Sequence, residues 1–356
     1  MKHVDTIALM LNLSPVRRLW KAALVATLCA AAFSQPGLAQ VPPASILRID
    51  TTNVVLYTEI TADPTKFATD PNVTTGTTPS GGTFTRTLGI GDIVAVNGQA
   101  VTGTHTRGAI GNLRLSTAPS PGMGIADTTR VAVAVFTFEI LKSDGTPIGT
   151  IVANGLAGGV APPGSPLAAT GGNNFVITGG TGAFLGARGQ LGAVAPPPGV
   201  PAARGTSMNE DPGNRRRNGG GAQQWVAHLI PISVPQIVTA ANGPAVFHAD
   251  FSPVTAAKPA KPGEVLIAEA TGLGPTVPGV DPGKPFPTDS LLQVNSPVDV
   301  TVNGSPAEII NKIGWPGLVD TYRIDFRVPD GTTAGTGSIQ ITAAWIVGPD
   351  VRIAIQ

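Results

Sequence analysis

Apolar positions in this chain recur at every second residue, in short runs set between breaks rich in glycine, proline and asparagine. A period of two is that of a strand with one buried face. Residues 130–141 (RVAVAVFTFEIL) show it best, alternating and rich in β-formers. Asp144-Gly145 then predicts a hairpin turn, with residues 147–154 as the returning strand. Residues 46–60 (ILRIDTTNVVLYTEI) predict one long strand or two short ones. Residues 83–88 and 92–96 predict short strands. Asn97-Gly98 follows as a turn, because both residues accept positive φ, and residues 99–106 return. Residues 175–178 lead into a glycine-dense stretch over 179–189. Residues 196–221 read as a long loop, with a triple proline, the acidic pair Glu210-Asp211, the run Arg215-Arg216-Arg217 and a triple glycine. Residues 225–232 read as a closing strand, and Pro231 and Pro235 mark a boundary near 236.

The second segment repeats the style. Strands are predicted near 237–239, 246–251, 265–271, 298–302, 322–328 and 338–344, with turns at Asn303-Gly304 and Asp330-Gly331. Short strands at this spacing argue a sandwich. Residues 307–312 are the one modest helix candidate. No internal repeat links the two halves. The pattern as a whole predicts an all-β protein.

Composition sharpens this. The chain has 356 residues, 45 of them glycine and 34 proline, which suits many turns and few helices. Residues 1–39 are set aside as an export signal. Arg17, Arg18 and Lys21 precede an apolar run over 24–33, and Gly37-Leu38-Ala39 is the expected cleavage site. Met10 is an alternative start. The apolar run is too short to span a bilayer. The expected location is secreted, periplasmic or cell-surface, with no stable membrane span after cleavage. The single cysteine, Cys29, lies inside that signal. Disulfides, thiolate zinc sites and cysteine nucleophiles are therefore excluded from the mature chain. Cleavage removes Lys2, Arg17, Arg18, Lys21 and Asp5, turning the formal charge from +1 to −2. That balance gives no reason to expect a nucleic-acid partner.

Candidate chemistry is sparse. FVITGGTGAFLG, residues 175–186, superficially suggests a dinucleotide-binding turn. The second glycine interval is one residue too long, no amphipathic helix follows, and no acid lies about 20 residues on. Tight β-turns against a wall are the better reading. His105, His228 and His248 share no spacing that suits a metal. No Gly-x-Ser-x-Gly elbow is present, and the carboxylates are too scattered for a glycosidase pair. Neither cofactor nor metal is expected. Arg215 to Arg217 with Glu210-Asp211 suit either a polyanion or a loop that pairs with itself.

The stretch from Phe175 to Gly189, FVITGGTGAFLGARG, resembles the signature strand of the dirigent and allene-oxide-cyclase-like barrel superfamily. Residues 55–60, Gly91-Asp92, Asn97-Gly98, residues 136–140, Asp144-Gly145 and residues 148–151 resemble its other strands and turns in order, covering about 45–232. The resemblance implies an eight-stranded antiparallel barrel, commonly trimeric, around a mostly apolar cavity that binds a small apolar molecule. Members steer stereochemistry or accelerate a cyclisation. Arg188 matches the arginine after the glycine turn. Glu59 matches the acid ending the opening strand, though dirigent proteins usually carry Asp there. The candidate ligand-binding set is Tyr57, Glu59, Phe136, Phe138 and Arg188, with Glu59 and Arg188 as candidate catalytic groups. The structural alternatives are an Arg188 tied to backbone carbonyls and a Glu59 at the barrel rim.

Residues 270–275, 285–287, 298–307 and 322–329 resemble a bacterial C-terminal Ig-like module of the immunoglobulin-like, plexin, transcription-factor type. It covers about 260–356 and implies binding, spacing or display. The expected organisation is a signal peptide (1–39), a dirigent-like barrel (40–235) and an Ig-like sandwich (236–356). Three functions follow: an exported barrel that holds a small apolar molecule, a cofactor-free isomerase or cyclase using Glu59 and Arg188, or a structural or adhesive surface protein. The last predicts a barrel filled by its own side chains.

Overall fold

Strands that bury one face still carry unpaired backbone edges, and the first half of the chain removes its edges by closing on itself. The computed structural model describes residues 45–60, 85–115, 128–157, 173–194 and 198–356. The first sheet comprises β1 (Ser45–Ile60), β2 (Thr85–Val96), β3 (Gln99–Ala100), β4 (Thr102–Leu115), β5 (Thr128–Leu141), β6 (Pro147–Ala157), β7 (Asn173–Gly182), β8 (Arg188–Val194), β9 (Arg204–Ser207) and β10 (Gly221–Ile230). Spatial order runs β2-β4-β5-β6-β7-β8-β10-β1, and β1 pairs back with β2. Eight antiparallel strands thus close a barrel.

β1 is one strand with a bulge. Asn53, at φ 50°, takes up the extra residue between Thr52 and Val55. Pairing with β10 ends at Val54↔Gly221, and β9 then fills the vacated edge in parallel, from Val55↔Arg204 to Thr58↔Ser207. Residues 196–221 are therefore not wholly a loop, because an unpaired barrel edge recruits four of them as a strand.

The glycine stretch is a hairpin. β7 and β8 pair antiparallel through Phe175↔Leu191, and a turn over 183–186 joins them. A Cβ at Gly180 would strike the carbonyl oxygens of Phe184 and Thr150, and one at Gly182 that of Ile148. Glycine lets these backbones approach, and the turn drops Phe184 and Ala187 into the core.

From residue 236 onward a second, curled sheet forms the sandwich. Its spatial order is Gln236–Ile237, Val265–Thr271, Thr321–Arg327, Ser305–Gly314, Val298–Val302, Gly335–Ala343 and Ile346–Val347, with Val351–Ile355 against Gly335–Ala343. Its core includes Leu266, Ala268, Val300, Ile324, Phe326 and Ile341. Residues 307–312 are not helical. They lie in Ser305–Gly314, which pairs on both sides through Val300↔Ala307 and Ile309↔Phe326, and this pairing overrides a weak helical preference. No helix among the described residues is long and apolar enough to cross a membrane.

The two halves meet at the barrel end that carries the β5–β6 and β7–β8 turns. Gly335–Ala343 and Ile346–Val347 are joined by Ala344 and Trp345, both at positive φ (47° and 61°). Such loops ordinarily use Asn-Gly, and left-handed backbone costs a residue with a side chain about 1–2 kcal/mol. Ala344, Trp345 and Ile346 belong to the barrel's core cluster, and Trp345 Nε1 donates to Gln99 Oε1 at 2.8 Å. Asn295 Nδ2 donates to the Pro147 carbonyl at 2.6 Å. Residues 44–356 accordingly form one compact unit.

Candidate functional site

Phe136 and Phe138 alternate inward along β5 and are fully buried. They belong to an aromatic layer across the barrel. Phe136 lies 4.4 Å from Phe175 and 5.0 Å from Trp225, and His105 stacks on Phe138 at 4.5 Å. His105 is a core residue. It is buried, Nδ1 faces the Thr137 carbonyl at 3.4 Å, and burial lowers its pKa to about 4, with the Arg107 charge pushing the same way.

Arg107 is the next inward position along β4, toward the strand's far end. Its guanidinium sits 5.5 Å from the Phe136 ring centroid, and its Nε is buried without a hydrogen-bond partner. Burial lowers its pKa, and among the described residues it has no carboxylate partner. Sequence reasoning missed it because the strand was ended at 106. Carrying the alternation from His105 one step further would have placed Arg107 on the same face.

Tyr57 and Arg188 do not join this layer. Tyr57 is buried beside β9, where Glu210, Arg215 and Arg204 act on it. Burial raises its pKa, and its hydroxyl has no partner. The Glu59 backbone pairs with Arg86 near the end of β1. Arg188 starts β8 at the opposite end of the barrel, in register with Ile230, where Leu229 faces Ser45. At roughly 3.3 Å per residue and about 40° tilt, the backbones at Glu59 and Arg188 stand on the order of 35 Å apart along the barrel axis. They do not share one site. The Arg188 side chain is exposed and donates from Nη1 to the carbonyls of Thr178 (2.7 Å) and Ala187 (3.0 Å).

Two arginines of the run, Arg215 and Arg216, are engaged on the barrel wall. Glu210 takes a two-pronged pair from Arg204 at 2.7 and 2.9 Å, and Thr206 donates to it. Arg215 and Arg216 reach Asp92 instead, at 2.7 and 3.0 Å, with Arg215 also on the Asn53 carbonyl and the Asn53 amide on Asp92. Burial alone would raise the Asp92 pKa. The bonds from Arg216, Arg215 and Asn53 outweigh it and hold the carboxyl well below its usual range. The expected pairing of the run with Glu210-Asp211 is replaced by this tie across the β1 bulge.

A cleft of about 860 Å³ opens at the junction of the halves, lined by the β7–β8 turn, residues 231–236 and the sandwich strand ends. Leu185 and Ile232 stand on its lip, 66% and 75% exposed. Phe286 and Tyr322 line it from the sandwich. Tyr322 donates to the Gly274 carbonyl at 2.6 Å, and burial raises its pKa to about 12. Ser296 is buried at the floor, its hydroxyl against Gly274 and without a partner. Leaving such a group unpaired costs about 1–3 kcal/mol. No signal in the sequence marked this cleft, since its walls come from several separate segments spread between residues 182 and 346. Among the described residues no group of three or more His, Asp or Glu could hold a metal ion.

No family model and no curated protein matches this chain. Among solved structures a polysaccharide lyase is similar at 8% identity and a TM-score of 0.17, over 91% of this chain and 41% of that protein. A likeness of that size carries no argument about function.

Proposed function

We propose that this chain is an exported two-module binding protein in which the barrel is a self-filled scaffold and recognition falls to surfaces outside it. The observation that carries this reading is the aromatic layer of His105, Phe136, Phe138, Phe175 and Trp225, which occupies the space a barrel ligand would take. The dirigent-like and Ig-like resemblances belong to the same proposal. The closed eight-stranded barrel and its glycine hairpin support the first, and the sandwich the second. Phe136→Ala is the test. As a structural core residue it costs about 3–5 kcal/mol, read from urea unfolding. A loss under about 1 kcal/mol would mean the ring lines open space, and the scaffold reading fails.

One observation favours a second reading. Arg107 is an inward guanidinium over an aromatic ring, with its Nε buried without a hydrogen-bond partner and no carboxylate beside it among the described residues, which suits an anionic aromatic molecule. Arg107→Met separates the two. On the scaffold reading it keeps or raises stability, because a buried charge without a partner is costly.

A further inference from the structure

We propose that the cleft between the β7–β8 turn and the sandwich binds a neutral, mainly apolar small molecule. The inference rests on the scaffold reading, since it places ligand binding outside the barrel.

Size comes first. A volume of about 860 Å³ lies within the roughly 300–1,000 Å³ of small-molecule sites. Two large aliphatic side chains, Leu185 and Ile232, are left in water at its lip. A Cβ at Gly186 would meet Ile232 Cδ1 at 3.0 Å, so the isoleucine is propped against the turn and does not swing free. A partly enclosed space with apolar lips gains by taking up apolar surface.

Polarity decides the rest. The charged lining groups are Asp281, Lys284 and Asp320, of mixed sign, with no cluster to favour an ion. The aromatic side chains of the lining, Phe286 and Tyr322, are both 6% exposed, which leaves no open ring face for a sugar to stack on. The Ser296 hydroxyl lacks a partner, but it is sealed from the cleft and offers a ligand nothing. The Tyr322 hydroxyl is already committed to the Gly274 carbonyl. What the cleft offers a ligand is the aliphatic surface of Leu185 and Ile232, which would hold an apolar body.

The probe is prodan, a neutral naphthalene ketone whose emission shifts to the blue in an apolar site. It is titrated into the chain of residues 40–356. Saturable binding with a blue shift is expected. Ile232→Asp places a charge on the exposed lip and is expected to weaken binding at least about tenfold. Leu185→Asp, at the other exposed lip residue, is expected to weaken binding by a similar factor. Leu88→Asp, on a 54% exposed residue of β2, is expected to bind as the parent does. No saturable binding, or binding untouched by Ile232→Asp and Leu185→Asp, overturns the proposal. A probe lost with Phe136→Ala but retained by Ile232→Asp lies in the barrel, and that outcome overturns the scaffold reading as well.

Discussion

His105 is an ionisable side chain set where an ion is costly. It is stacked between aromatic rings, and the nearest charge, Arg107, is of the same sign. Its folded pKa of about 4 lies below the unfolded value of 6.5. Between those values the unfolded chain binds a proton that the folded chain refuses, so stability is whole above about pH 6.5 and declines as pH falls toward 4. The full difference is on the order of 3 kcal/mol. His105→Phe is expected to flatten this part of the profile, measured as urea midpoints at pH 7.0, 5.5 and 4.5. Equal slopes in the two proteins would refute the assignment. The inward register of Phe136 and Phe138 was legible because β5 alternates without interruption. His105 and Arg107 lie on β4, whose threonines and glycines blur the period, so their place in the core was not.

At the scale of elements, the segment over 204–216 is held by charge more than by apolar burial. Asp92 is the shared anchor, 14% exposed at its side chain, and Arg215 beside it is 11% exposed. Asp92→Asn would leave the Arg215 guanidinium buried without its counter-charge. Full burial would cost 3–5 kcal/mol, and this partly solvated pair is expected to lose about 2 kcal/mol. The loss should be local, appearing as faster proteolysis within 208–220 while the barrel stays folded. Unchanged cleavage would mean that β9 pairing alone holds the segment. The same logic separates legible from illegible elements. Asn97-Gly98 and Asn303-Gly304 announce their turns, and all four residues adopt positive φ. β8 (RGQLGAV) and β9 (RGTS) lack a run of β-formers, and Ser305–Gly314 carries a helical composition. They are strands because neighbouring edges need partners, which is a property of the closed sheet and not of the local sequence.

At the scale of the whole molecule, the barrel and the sandwich share a core through one strained loop. Ala344 and Trp345 hold left-handed backbone without the glycine or asparagine that normally relieves it, and what they gain is the burial of Trp345 in the barrel's end, pinned by Gln99. No turn signal marks this loop in the sequence, because its conformation is dictated by a partner more than 200 residues away. Trp345→Ala keeps the strain and removes the burial. It is expected to cost about 3–5 kcal/mol. It should also cut the continuity that makes residues 44–356 a single compact unit. By calorimetry the parent is expected to unfold in one transition, whereas the variant should show two, the sandwich and the barrel melting separately. A single transition in the variant, shifted by no more than about 2 °C, would mean that the Asn295–Pro147 bond and the cleft walls join the halves without the tryptophan.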